Sequence, residues 1–381
     1  MLTETLTYYN EWQYNNEQKI PLGKANLVFI FGDRKVFKEA KAYEEIKTLY
    51  PNAHIVGCTS SGNILNAQVS DALMVATAVQ FEHGYVEVSI QDFTSEDDLI
   101  HISNELLLAL PQEGLKHVFL LSDGLNMNGT SLAQGANNAM NHKMPITGGL
   151  AGDGTDFEQT WIMADDVARQ NRVVAIGFYG EKLSISSGCY AGWDEFGILR
   201  RITKSEGNIV YEIDNQPALD LYKKYLGEYA RDLPEAGLQF PFKVTKDTHP
   251  DSEALIHSVL GIDEEIKSVI FAGDVPQGSY VKLMKTNIDG LIDGSEMAAG
   301  MINQANESDA LGLVVSCVGR RLVLKQLTDE ELEVIGDTLG ENVQLTGFYS
   351  YGEFAPYSDE LLSCRLHNQT MTLTVIYEEK D

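Results

Sequence analysis

Short apolar runs alternate with stretches of helical period along nearly the whole chain. Residues 26–33 (NLVFIFGD) form a strand-length apolar run ending in turn residues. Behind them Val36, Ala40, Tyr43, Ile46 and Tyr50 recur at helical spacing and predict a helix over 34–50. Residues 54–63 (HIVGCTSSGN) predict a strand running into a glycine loop, and 71–81 a strand rich in β-branched and small residues. The order then repeats: strand 117–124, helix 130–141, strand and glycine loop 145–154, strand 159–166. It repeats again as strand 311–317, helix 328–339 opened by a Thr328-x-x-Glu331 capping box, loop 343–353 and strand 370–378. Helices over 96–110 (Leu99, Ile102, Leu106, Leu110) and 294–306 (Met297, Met301, Ile302, Ala305) precede the last two copies.

Stacked together, the three loops share an apolar strand end, a glycine, a short spacer, a second glycine and a polar side chain. They read Gly57-Cys58…Gly62-Asn63, Gly148-Gly149…Gly152-Asp153 and Gly347-Phe348…Gly352-Glu353, the middle one a residue shorter. Glycine permits positive φ and close backbone approach, which suits a tight strand exit or a ligand against the backbone. Three such loops, if related by pseudo-symmetry, could gather and line a cleft. The expected ligand-binding residues are therefore Gly57, Cys58, Ser60, Ser61, Gly62 and Asn63; Gly148, Gly149, Gly152 and Asp153; and Tyr349, Tyr351, Gly352 and Glu353. Adjacent strands without an intervening helix (71–81 to 84–93; 159–166 to 173–180 to 183–188) argue for mixed sheets. The expected class is α/β with mixed sheets, flanking helices, approximate internal repeats and two domains, 1–227 and 228–381. Residues 215–227 predict a helix with Asn215 near its cap, Pro217 in its first turn and Gly227 past its end, and the irregular 228–253 carries the junction.

Charge and cysteine content narrow the function classes. The formal net charge of −28 repels phosphate backbones and anionic headgroups, so nucleic acid and membrane surfaces are expected to be poor partners. Four scattered cysteines suit a reducing compartment, and no apolar h-region opens the chain, which predicts a cytoplasmic protein. No Walker A loop, no G-x-S-x-G elbow and no H-E-x-x-H occurs, and the eight histidines show no metal-ligand spacing. Cys317 ends a strand in VVSCVGRR, beside Arg320, a candidate for bidentate carboxylate capture with a salt bridge as the alternative. Residues 347–357 gather Phe348, Tyr349, Tyr351, Phe354 and Tyr357 around Glu353, suited to a small ligand such as an amine or to an aromatic core corner. A competing class is an acyl- or thiol-transfer enzyme using Cys58 or Cys317.

Several ordered motifs resemble one family. IVGCTSSGNI, ITGGLAGDG with QTWIMADD, VVAIGFYG and NIVYEIDNQPALDLYKKYLG are similar to the N-terminal FIST sensory domain; GDVPQGSYVKLM, DALGLVVSCVGRR and LTGFYSYGEFAP resemble its C-terminal partner. The resemblance, from about residue 26 to 377, implies a bacterial intracellular sensor of small ligands such as amino acids. Its implied partner is a histidine kinase or a cyclic-di-GMP enzyme. Stand-alone relatives of the NosP type use haem to sense nitric oxide, which leaves haem open as a cofactor here. His257 stands where many relatives carry Arg, which weakens carboxylate binding at that point and makes it the candidate iron ligand.

Overall fold

Each of the three copies builds the same unit: two parallel strands with a third antiparallel to the first. In the first copy Leu27–Gly32 lies parallel to His54–Thr59 and antiparallel to Met74–Gln80. In the second the set is Leu115–Ser122, Ile146–Leu150 and Arg172–Tyr179; in the third it is Ala310–Cys317, Val343–Ser350 and Met371–Glu378. Parallel neighbours need a crossover, and helices Ala40–Leu49, Gly129–Ala139 and Thr328–Leu339 supply one in each copy. The computed structural model describes residues 1–249, 253–303, 309–357 and 362–379.

The copies are then laced together in a ring. Asn63–Leu65 of the first copy pairs with Val343–Ser350 of the third, Gly352–Pro356 of the third with Ile146–Leu150 of the second, and Ile162–Ala164 of the second with His54–Thr59 of the first. Three six-stranded sheets result, each holding a strand lent by a neighbouring copy. Their inner faces meet in one core, where Phe31 stacks on Phe348 at 4.9 Å and Phe29 meets Phe119 edge-on at 5.7 Å. Fully burying each such ring stabilises the fold by about 1.5–3 kcal/mol. The helices cover the outer faces in separate clusters.

A further body is inserted into the third copy. Asp194–Glu206, Ile209–Ile213, Phe242–Thr245, Ser268–Phe271 and Tyr280–Lys285 belong to an eight-stranded sheet packed on helix Ala218–Leu226. The division expected at residue 227 falls at the end of that helix, where Gly227 has φ 59°. Strands from both sides of it pair here: Ile209–Ile213 with Ser268–Phe271, and Asp194–Glu206 with Tyr280–Lys285. The junction segment forms two 3-10 turns, Gly227–Asp232 and Glu235–Gln239, and its residues 250–252 lie outside the described residues.

Four expected elements differ. The helix expected from residue 215 starts at Ala218 with Pro217 at its cap, because Asn215, at φ 60°, turns the chain into the short strand Gln216–Pro217. The helix over 34–50 is two, Arg34–Phe37 and Ala40–Leu49, because Glu39 turns extended while fully buried Phe37 anchors the first piece. The helix expected over 294–306 runs Ile288–Gly300, capped by Asn287; Met297 and Met301 face solvent, and 304–306 lie outside the described residues. The capping box does not form. Thr328 is the first helical residue and donates to the Lys325 carbonyl, while Glu331 turns to Arg320.

Candidate functional site

The repeated loops do gather. Counting from the first glycine of each, the N–H at the fourth following position donates to the carbonyl at the second position of a neighbouring loop. Ser61 donates to Tyr349 (2.9 Å), Tyr351 to Leu150 (3.1 Å) and Gly152 to Thr59 (3.1 Å), closing a ring of backbone bonds around the pseudo-axis. The first glycines hold this ring against the sheets. A Cβ on Gly57, Gly148 or Gly347 would fall into the carbonyl of Ile30, Leu120 or Val314, its register partner on the parallel strand. The glycine repeat is thus a device for closing the strands tightly, and the ring centre is backbone and core rather than a cleft.

What differs between the three junctions is the side chain arriving beyond the first strand: Arg34, Gly124 and Val318 stand at matching positions, and Arg321 comes from the helix Val318–Leu324. Between the first and second copies Arg34 reaches Asp153 (2.9 Å), Asp156 (2.8 Å) and Glu158 (2.8 Å). Between the third and first, Arg321 donates to the Ser61 carbonyl with its guanidinium 5.5 Å from the Tyr349 ring centroid. Between the second and third copies the position matching Arg34 is Gly124, where a Cβ would meet the Ala151 carbonyl. Here a cleft of about 350 Å³ opens. Gly124–Asn128, Leu150 and Phe157 of the second copy form one wall, Cys317, Val318 and Tyr351 of the third another, and Asn208, Leu238, Ser258, Leu260 and 271–273 of the inserted body the third.

The loop that replaces an arginine is rigid. Buried Asp123 accepts from the N–H groups of Leu125 (2.9 Å), Asn126 (2.9 Å) and Asn171 (2.9 Å) and from Thr160 Oγ1 (2.9 Å). Asn128 caps helix Gly129–Ala139 and donates to Asp274 of the inserted body at 3.1 Å. Tyr351 stacks on Phe157 with centroids 4.6 Å apart, and its hydroxyl donates to Asp153, whose carboxylate also accepts the N–H groups of residues 157–159. The wall turn His367–Thr370 ties the inserted body to the third copy: Gln369, at φ 63°, donates to the Leu238 carbonyl and Ser258 Oγ, both at 2.8 Å.

Of the residues expected to bind ligand, Cys317 and Tyr351 lie in this cleft and Asp153 stands behind Tyr351. The others do not line it. Cys58 is buried in the central core, and Ser60, Ser61, Gly62 and Asn63 serve the junction of the first and third copies. Gly149 packs on Val315, and Gly152 on Ser61. Arg320 has no exposure, and its donors are taken up by Glu331 (2.9 Å), the carbonyls of Ala191, Leu291 and Gln369, and Ser295. Tyr349 donates to the same Glu331 at 2.7 Å. The loop Gly124–Asn128 was not singled out in the sequence; the signal for it was SDGLNMN, a strand end with glycine where its counterpart has Arg34.

Burial sets the protonation of these groups. It pushes the Cys58 and Cys317 thiols well up, Cys364 to about 12 and Cys189 to about 11, so none is a ready thiolate. Glu353, fully buried beside Gly352, is pushed up from 4.5 to about 7 by desolvation, despite bonds from Ser350 and Thr370. Its native carboxyl therefore keeps a proton that the unfolded chain gives up. That contribution is fully present below about pH 4.5 and lost as pH rises through 7. Glu353→Gln should therefore gain roughly 2 kcal/mol relative to the wild type on moving from pH 5 to pH 8, measured by urea unfolding at both values. An equal difference at both pH values contradicts this assignment.

His257 lies elsewhere, in the wall of a second cleft of about 410 Å³. Its Nδ1 is 3.2 Å from Asn368 Oδ1, and its ring packs on Gly273. Thr130, Gln134, Asn137 and Asp274 share that wall with Ala133, Val244, Leu255 and Leu366, and the imidazole is only 3% exposed, packed against Gly273, so it does not project into an open slot for a macrocycle. These residues do not fit a haem. Titration with haem should leave no Soret band that His257→Ala removes. Among the described residues no cluster of three or more His, Cys, Asp or Glu could hold a metal ion, and no helix is long and apolar enough to cross a membrane.

An α/β ring of three copies carrying an inserted body, with clefts between that body and the ring, is the class these features define. Sequence models of the FIST N domain and the FIST C domain match residues 26–216 and 218–356, and the chain belongs to the FIST family, whose domains are sensory domains of signal transduction. The uncharacterized protein MJ1623 of Methanocaldococcus jannaschii is 28% identical over 265 residues, 62% of this chain; the match spans about half (49%) of that relative's length. A crystal structure of cyanuric acid hydrolase from A. caulinodans aligns over 95% of this chain and 92% of its own, with TM-score 0.39 and 6% identity.

Proposed function

We propose that the protein is a non-catalytic sensor whose small organic ligand sits in the cleft between the second copy, the third copy and the inserted body. The observation that carries this reading is where the cleft lies: its walls come from all three parts, and it opens at the only ring junction, among the described residues, not closed by an arginine. Its volume of about 350 Å³ suits a small molecule. A ligand there bridges the inserted body to the ring and shifts their arrangement by its differential affinity for the two arrangements. The signal then passes to a partner such as a histidine kinase or a cyclic-di-GMP enzyme. Free cysteines suit action inside the cell. The protonated, buried thiols favour this reading over thiol chemistry.

The test is a fragment screen by calorimetry on the full chain beside an Asn126→Arg variant. Asn126 is exposed at the cleft loop, so arginine there supplies the plug that Gly124 leaves out. Fragments that bind the wild type should lose at least tenfold in affinity, with the melting temperature unchanged. Fragments that bind both proteins equally place the site elsewhere.

A further inference from the structure

We infer that this cleft takes an uncharged ligand, an amide-type group carried on a small apolar body; the inference rests on the ligand reading above and specifies its chemistry. No aspartate, glutamate, lysine, arginine or histidine lines the cleft among the described residues. Burial keeps its two other ionisable groups neutral by pushing the Cys317 thiol and the Tyr351 hydroxyl up. The carboxylates behind the walls are already taken up. Asp123 accepts from three N–H groups and Thr160, and Asp153 accepts from Tyr351 and pairs with Arg34. An ammonium or a carboxylate entering here would give up its hydration and meet no opposite charge. An uncharged polar group needs only its hydrogen bonds remade.

The wall of the inserted body can remake them. Ser258 is 2% exposed, and its Oγ accepts from Gln369 at 2.8 Å, which leaves the hydroxyl proton to donate. Among the described residues no acceptor takes that proton, and none takes the N–H of buried Gly273. Asn208 donates to the Phe271 carbonyl at 2.8 Å, and its Oδ1 stays open to a donor. These groups are neighbours: the Phe271 N–H donates to the Asn208 carbonyl and the Ala272 N–H to the Ser258 carbonyl, both at 2.9 Å. The Ser258 and Gly273 donors beside the Asn208 acceptor match the carbonyl and N–H of an amide. A carboxylate brings no donor for Asn208, and an ammonium no acceptor for Ser258. The ring walls add Leu125, Leu150, Val318 and the stacked rings of Phe157 and Tyr351, apolar surface for the body of the ligand.

Calorimetry on the full chain compares matched sets: phenylacetamide with phenylacetate and phenethylammonium, and isovaleramide with isovalerate and isoamylammonium. At least one amide should bind about tenfold or more tightly than both of its charged counterparts. That binding should be lost in Asn126→Arg and weakened several-fold in Ser258→Ala, where Gln369 keeps its bond to the Leu238 carbonyl. Melting temperatures show whether Ser258→Ala is folded; if it is not, the wild-type series alone decides the assignment. If a carboxylate or an ammonium binds as tightly as its amide and Asn126→Arg abolishes both, the neutral assignment is overturned while the cleft reading stands. If no amide binds, or folded Ser258→Ala binds it unchanged, the assignment is likewise overturned, and the fragment screen decides the cleft separately. Amide binding that survives Asn126→Arg overturns both.

Discussion

Replacing Arg320 with alanine should cost about 3–5 kcal/mol of stability, the scale of breaking a buried ion pair and stranding one partner. Glu331 would be left buried with only the hydroxyls of Ser295, Ser316 and Tyr349 to face. The Leu291 and Ala191 carbonyls would lose their donors as well. Urea unfolding measures the loss, and the double variant Arg320→Met with Glu331→Leu should recover much of it, since apolar groups leave no uncompensated charge. Ligand affinity per folded molecule should not change. A variant that stays stable while losing ligand would restore Arg320 as the carboxylate clamp considered from the sequence.

Alanine at Gly347 should cost about 3 kcal/mol or more, and the variant is expected largely in the insoluble fraction. The added methyl would lie in the Val314 carbonyl, which belongs to a parallel ladder at the pseudo-axis and cannot move without breaking it. Gly57→Ala should behave alike, and Gly148→Ala worse, because Gly148 also holds φ 137°. Gly300→Ala is the control: nothing lies within 4 Å of its Cβ, so the change should be neutral or stabilise helix Ile288–Gly300 by about 0.5 kcal/mol. Solubility and unfolding midpoints of the four variants check the ordering.

These two cases show how much was legible in the residues. Periodicity located the strand, helix, strand and loop of each copy within a few residues, because every central strand is buried on both faces and reads as a continuous apolar run. The glycine repeat marked the ring correctly, yet its purpose was packing, which only the approach of a neighbouring carbonyl reveals. Strand exchange was invisible, since Asn63–Leu65 carries no mark of pairing with a strand about 280 residues later. The helix opening at Thr328 shows local rule yielding to tertiary need: Glu331 is worth more to buried Arg320 than to a cap. Cys317 and Tyr351 came from strand-end chemistry and do line the cleft, whereas the Gly124 loop emerges only once the three copies are superimposed as positions.

On the function proposed above, ligand sits between the ring and the inserted body. Hydrogen–deuterium exchange of the full chain, with and without the tightest-binding fragment, tests it most directly. Protection should rise in 124–128, 258–260 and 271–273 together, the two sides of one cleft. Protection confined to the wall around Val244, Leu255 and Leu366, or to the ring junctions of Arg34 and Arg321, would contradict it.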